Sequence, residues 1–226
     1  MSKITVILYG PPGSGKGTQA NLIAAKLNLI HFDTGRFLED IVHDPQRQKE
    51  KMVRRERKLF DSGILMTPHF VLREVAKAAK KIANAKWGII FSGSPRTIYE
   101  AKGLFPALEK LYGKKNIFIF KLNIPSKISL RRNGYRLLCS FCRAPLLTAY
   151  YPSTHPKYCP VCGGPLYQRT LDKSEVIKVR LKEYAERTAP IFHLAKKMGY
   201  RIHEVDGTAA PYRVSQQIQK YFPRKA

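Results

Sequence analysis

Gly10-Pro11-Pro12-Gly13-Ser14-Gly15-Lys16-Gly17-Thr18 is the stretch that decides the reading of this chain. The run before it, Ile4-Thr-Val-Ile-Leu-Tyr9, is apolar and β-rich, as expected for a strand buried on both faces. After it, Thr18–Leu27 places Leu22, Ile23 and Leu27 at helical spacing. Glycines at 10, 13, 15 and 17 allow tight, partly positive-φ backbone, so successive N–H groups can converge on phosphate oxygens. The helix that follows adds the positive end of its dipole, and Lys16 a mobile charge for the outer phosphates. A glycine-rich turn that binds nothing is the competing reading. The strand before and the helix after argue for the phosphate cradle of a nucleoside triphosphate. One departure from the general pattern is Gly17, which delays the hydroxyl to Thr18.

Working outward, further buried strands are expected at Leu29–Phe32, Trp87–Ser92, Ile117–Leu122 and Tyr200–Val205. Helices are expected at Pro68–Asn84, Ile98–Leu111, Ser126–Asn133, Lys173–Met198 and Val214–Tyr221, with Thr67 as the cap in front of Pro68. This alternation argues for an α/β fold with a parallel sheet. Two segments interrupt it. Arg36–Ser62 reads as one or two charged helices, and Asn133–Thr170 has no helical period, no acidic residue and all four cysteines.

Cys139-Ser-Phe-Cys142 and Cys159-Pro-Val-Cys162, sixteen residues apart, can present four thiolates tetrahedrally. Four sulfurs close the shell, so a structural metal is expected, zinc or iron. Four reduced, buried thiols or a nucleic-acid-binding ribbon are the alternatives. The C-x2-C pairs point to a reducing, cytoplasmic compartment rather than a disulfide framework. The longest charge-free stretches, Ile4–Gly15 and Ala144–Pro156, are too short to span a bilayer. Met1-Ser2-Lys3 runs straight into Ile4, so no targeting segment is expected.

The phosphate loop, His31-Phe-Asp-Thr-Gly35, Gly93-Ser-Pro-Arg-Thr97, the cysteine segment, Leu166-Tyr-Gln-Arg169, Arg180-Leu-Lys-Glu-Tyr184, Thr188-Ala-Pro190 and Val205-Asp-Gly-Thr208 occur in one order along nearly the whole chain. In these motifs the sequence resembles adenylate kinase and its nucleoside monophosphate (NMP) kinase relatives, in the long form with a zinc-bearing lid. The resemblance implies a P-loop NTPase-type three-layer core with a five-stranded parallel sheet at 1–33, 64–132 and 171–226. It also implies an NMP-binding helical insert at 34–63 and a zinc lid at 133–170. The implied reaction is reversible phosphoryl transfer from Mg-ATP to AMP, by a monomer. ATP would bind at Gly13, Ser14, Gly15, Lys16, Gly17, Thr18, Arg132, Arg136, Leu146 and Ala209. The acceptor would bind at Thr34, Gly35, Arg36, Ile64, Leu65, Met66, Gly93, Arg96, Glu100, Arg169 and Arg180. Lys16, Arg96, Arg132, Arg136, Arg169 and Arg180 would carry the charge in flight, as phosphoryl transfer needs dispersed positive charge.

Four positions depart from the resemblance. Arg36 stands where the family has an aspartate, and Glu39 where it has an arginine for the monophosphate. Three residues apart on a helix, they are expected to pair with each other. Ser92 replaces an aspartate of the magnesium water shell, and Glu100 a glutamine that reads adenine. A carboxylate only accepts hydrogen bonds, which would suit the N–H and amino groups of guanine, so GMP is an alternative acceptor. Glu39, Ser92 and the net charge of +25 together suggest a third reading, a kinase-derived ATP-binding protein associated with RNA or the ribosome, with weak or no turnover.

Overall fold

A computed structural model describes residues 3–146, 148 and 156–222 of the chain. Five parallel strands form the central sheet: β1 (Thr5–Tyr9), β2 (Leu29–Phe32), β3 (Gly88–Phe91), β4 (Ile117–Asn123) and β8 (Ile202–Asp206), in the order β2-β3-β1-β4-β8. β1 lies at the centre, with Val6 level with Ile90 on one side and Phe118 on the other. All five residues of β1 and all four of β3 are buried, which explains why they read as unbroken apolar runs rather than alternating ones.

Helices cover both faces. On one, α1 (Lys16–Leu27) and α9 (Pro211–Gln219) pack Ile23, Val214 and Ile218 against Val6, Leu8 and Phe120. On the other, α4 (Pro68–Asn84), α5 (Ile98–Tyr112) and α8 (Pro190–Lys197) pack Phe70, Phe105 and Ile191 against Ile7, Phe91 and Ile119. The architecture is the expected three-layer α/β type.

The 34–63 region forms two helices, α2 (Thr34–His43) and α3 (Lys51–Asp61), joined by a 3-10 turn at Pro45–Arg47. Past α6 (Ser126–Gly134), a small antiparallel sheet of β5 (Leu137–Cys139), β6 (Pro145–Leu146) and β7 (Leu166–Tyr167) carries the cysteines.

Two expectations of local structure need correction. The helix expected over Lys173–Met198 is interrupted: α7 (Ser174–Glu183) passes into a π-helical stretch, Tyr184–Thr188, before α8 begins at Pro190. Proline has no N–H and crowds the preceding turn, and the Ala189 N–H donates five residues back, to the Tyr184 carbonyl. The widened turn brings the Thr188 hydroxyl to the Arg96 carbonyl at 2.9 Å. Thr67 precedes α4 as expected, but its side chain makes no capping bond. Its hydroxyl and its N–H both donate to the buried carboxylate of Glu56 instead, clipping α3 to α4. Among the described residues, no helix is long and apolar enough to cross a membrane.

Candidate active site

A cavity of about 1410 Å³ opens at the carboxyl ends of β1, β2 and β3, where parallel α/β sheets place their ligands. Its floor is the glycine-rich loop. Gly15 caps α1 with φ 90°, and Gly13, at φ 74°, lies so close to the Asn133 side-chain amide and the Ser129 carbonyl that a Cβ would collide. Both positions therefore require glycine. The loop is braced from α6: the Ser129 hydroxyl donates to the Pro12 carbonyl at 2.6 Å. Lys16 turns back over the loop, its Nζ donating to the Gly10 and Pro11 carbonyls at 2.7 and 2.9 Å.

Arginines from four segments face the same space. Arg96, which follows β3, donates through Nε to the Gly93 carbonyl at 2.7 Å. Arg132 on α6 donates to the carbonyls of Gly207 at 2.7 Å and Thr208 at 2.9 Å. Arg136 forms a fork on Asp172, with Nε at 2.9 Å and Nη2 at 2.5 Å, and Arg180 of α7 approaches the same carboxylate at 3.7 Å. Asp172 is fully buried, so one anion holds two guanidinium groups in place. Arg169 reaches in from the end of the cysteine segment.

So many cations in one partly dry space disfavour one another. Burial, then Arg96, Arg180 and Arg136, hold the Lys16 ammonium well below its ordinary value, against a pull upward from Asp33. Burial, then Arg96 and Arg136, likewise pull Arg180 down, with Asp172 opposing. Burial lowers Arg96 too, opposed by Glu100 and Asp33. A polyanion entering this cavity would relieve all three.

Gly13, Gly15, Lys16, Gly17, Thr18, Gly35, Arg36, Ile64, Leu65, Gly93, Arg132, Leu146 and Ala209 line the cavity, as do Arg96, Arg136, Arg169 and Arg180. Ser14, nearly fully buried, lines it as well. Thr34, Met66 and Glu100 do not. Met66 packs in the core with Phe70 and Val75, and Thr34 is buried.

Glu100 is the clearest correction. It is 2 % exposed and accepts from the Arg96 N–H at 2.8 Å and the Thr97 hydroxyl at 2.9 Å, while Thr97 accepts from the Glu100 N–H. This is a reciprocal cap at the start of α5, the Thr-x-x-Glu pattern that the sequence carries at 97–100. A base reader would have to face the cavity. Glu100→Gln is therefore expected to leave the choice between AMP and GMP unchanged. It should lower the melting temperature by about 3 °C, from roughly 1 kcal/mol of lost capping. Initial rates with each acceptor and a thermal melt check both halves.

The expected Arg36–Glu39 pair does not form either. Arg36 lies 4.0 Å from Asp40, and Glu39 accepts from Arg143 at 3.0 Å and Arg169 at 3.4 Å. Ser92 is held by His31: with Nδ1 donating to Asn21 Oδ1 at 2.6 Å, Nε2 accepts from the Ser92 hydroxyl at 2.8 Å. Burial lowers His31, in keeping with a neutral ring.

Three acidic residues beyond the expected site also shape it: Asp172 under the two arginines, Asp33 and Glu183. Asp33 caps α2 by accepting from the Arg36 N–H at 3.3 Å, a role its place before the helix could have revealed. Glu183 pairs with Arg187 four residues on, at 3.0 Å, a spacing visible in the sequence, but it also accepts from the Leu65 N–H at 2.9 Å, a contact between distant segments with no local signal.

The four cysteine Sγ atoms lie within 4.8 Å of one another, Cys139 to Cys162 at 3.4 Å and Cys142 to Cys159 at 3.7 Å. A tetrahedral thiolate site with metal–sulfur bonds of about 2.3 Å has sulfurs roughly 3.8 Å apart, so the cluster has the size to hold a metal ion.

A glycine-rich cradle at the ends of parallel strands, ringed by arginines from several segments, defines a P-loop nucleotide phosphotransferase. A sequence model of the family described as adenylate kinase matches residues 8–200. An adenylate kinase of Caldicellulosiruptor bescii is 34% identical over 194 residues, 86% of this chain and 87% of its own length. That of Methanothrix thermoacetophila is 33% identical over 217 residues, 96% of this chain and 97% of its own. That of Bacillus cytotoxicus is 30% identical over 219 residues, 97% of this chain and 95% of its own. The chain belongs to the adenylate kinase family.

Proposed function

We propose that this chain transfers the terminal phosphoryl group of Mg-ATP reversibly to AMP, giving two ADP. The observation that carries the reading is the convergence of Lys16, Arg96, Arg136, Arg169 and Arg180 on one cavity floored by the glycine-rich loop. In the forward direction an oxygen of the AMP phosphate attacks the terminal phosphorus of ATP. The bond from that phosphorus to its bridging oxygen breaks, and ADP leaves. Charge spread over the moving group needs fixed cations rather than a base.

In this reading the core comprises 1–33, 64–132 and 171–226. The loop N–H groups and Lys16 hold the donor phosphates, while Arg132, already bound to the 207–208 carbonyls, borders the donor side. Leu146 and Ala209 cover the donor base by apolar and backbone contact. The acceptor phosphate meets Arg96 and Arg169. The insert at 34–63 shapes the acceptor side with Gly35 and Arg36, and Ile64 and Leu65 hold the base. Arg136 and Arg180, fixed by Asp172, face the group in transfer. The lid at 133–170 closes over both nucleotides and excludes water.

Magnesium would enter with the nucleotide and neutralise phosphate charge. It prefers oxygen ligands and keeps several waters. Thr18, Asp33 and Ser92 line the cavity and would offer oxygens to the ion's water shell, with Asp33 as the carboxylate where position 92 has none. Zinc fits the four thiolates in the lid, in a structural role.

The GMP alternative loses its support because Glu100 is engaged in the α5 cap. The RNA-associated alternative rests partly on Glu39 and Ser92, and both have partners of their own within the fold. Coupled ADP production at fixed Mg-ATP, compared across AMP, GMP, CMP, UMP and no acceptor, tests the proposal. Turnover selective for AMP is expected. No turnover from folded, metal-loaded protein that binds ATP would overturn it.

A further inference from the structure

Glu39 offers the cavity a carboxylate where the acceptor phosphate requires cations. Three observations show what occupies it. First, α2 turns Arg36, Glu39 and Asp40 toward the cavity, but Arg36 lies nearer Asp40 and leaves Glu39 to other partners. Second, Glu39 is only about a quarter exposed and accepts from two arginines distant in sequence, Arg143 at 3.0 Å and Arg169 at 3.4 Å. Third, both arginines belong to the cysteine lid. Arg143 directly follows Cys142 and takes a left-handed φ of 60°, its N–H donating to the Cys139 carbonyl at 3.1 Å. An arginine adopts that conformation only where the surroundings impose it, and here the cysteine knuckle does. Arg169 closes the lid segment, and its carbonyl accepts from the Asp172 N–H at 3.0 Å. One carboxylate thus ties the acceptor-side insert to the first cysteine knuckle and to the C-terminal end of the lid.

We propose that Glu39 is a positioning residue, a latch that holds the lid against the acceptor insert before substrate binds and yields Arg169 to the incoming anion. The exchange follows from the geometry. Arg143 and Arg169 share the Glu39 carboxylate, and Arg169 makes the longer contacts, 3.4 Å to each oxygen. A phosphate dianion carries more charge than the carboxylate and displaces it from Arg169, while Arg143 retains Glu39 and keeps the lid down. The latch thereby biases closure while charging the acceptor a competition for one cation. The second half rests on the reading of Arg169 as an acceptor-phosphate ligand; the first half does not.

The test measures the substrate-free protein first. Spin labels introduced through noncanonical amino acids at Met52 on α3 and Val161 in the second cysteine knuckle, both exposed, report the insert-to-lid distance by pulsed EPR. Partly exposed ion pairs shift such equilibria modestly, so Glu39→Gln and Arg143→Gln should each raise the open fraction roughly two- to ten-fold relative to closed. The double variant should open no further than Glu39→Gln alone, and Glu39→Arg with Arg143→Glu should restore the closed distance. Identical distances in all variants, or fully additive opening, would overturn the latch. Because no substrate is present, this arm holds whether or not the protein turns over AMP. In the second arm, Glu39→Gln should lower KM for AMP while Arg143→Gln does not, since only the former frees Arg169. A KM that rises in Glu39→Gln with the lid shown open would refute the competition. Unchanged melting temperatures keep the comparison free of misfolding.

Discussion

Lys16→Gln is expected to cut kcat/KM for the donor by roughly 10²–10³, the loss seen when one preorganised charge-stabilising group is removed from an active site. The fold should not suffer. Burial and three arginines hold the Lys16 ammonium well below its ordinary value, so its charged form opposes folding and the neutral variant should melt at the same temperature or higher. The same shift gives a pH signature. Bound phosphates favour the ammonium and raise its pKa again, so above the free-protein value donor binding takes up a proton. Affinity should then fall as pH rises, until the pKa of the bound state is reached. Lys16→Gln should lose this part of the slope. Calorimetric titration with ATP at alkaline pH, in two buffers of different ionisation heat, counts the proton directly; equal heats for parent and variant would refute the assignment.

Cys159→Ser should have the second large effect. The small sheet of the lid has strands of two or three residues, far too little to stand without a cross-link. Structural metal sites in such modules supply most of the folding free energy. Loss of one thiolate should leave the protein short of one bound metal ion and expose Leu137–Leu146 and Leu166–Tyr167 to rapid hydrogen exchange, with β1, β3 and β4 still protected. Transfer to AMP should drop about 100-fold, because Arg136, Arg143 and Arg169 depend on the lid for their placement and closure no longer excludes water. Acceptor-independent hydrolysis should grow as a share of total ATP consumed. Metal content, exchange mapping and the ratio of the two activities check these outcomes together. A lid that keeps its protection without metal would refute the structural role.

The departures at Arg36, Glu39, Ser92 and Glu100 are where the sequence invites the largest change of function, and the structure treats each differently. Glu100 is a helix cap, Ser92 is fixed by His31, Arg36 lies near Asp40, and Glu39 reaches the lid. Of the two departures on α2 that line the cavity, Arg36 and Glu39, only Glu39 contacts an arginine of the proposed acceptor site. The Thr97-x-x-Glu100 cap is legible at its own spacing, a hydroxyl before the helix and a carboxylate three residues on.

The sequence by itself determined the features whose signals are local. The buried strands announce themselves by composition, the phosphate loop by glycines between a strand and a helix, and the cysteine site by the spacing of two knuckles. A residue's period or its neighbours within a few positions suffice for each. Only the tertiary structure decided which charges meet. Arg136 and Arg180 share Asp172, Glu183 fastens Leu65, and Glu39 holds arginines 104 and 130 residues away. Attraction between charges carries no sequence period, so in a chain with forty-one basic and sixteen acidic residues many pairings satisfy the sequence equally well. The fold chooses among them by bringing particular backbones together and by drying the space between them.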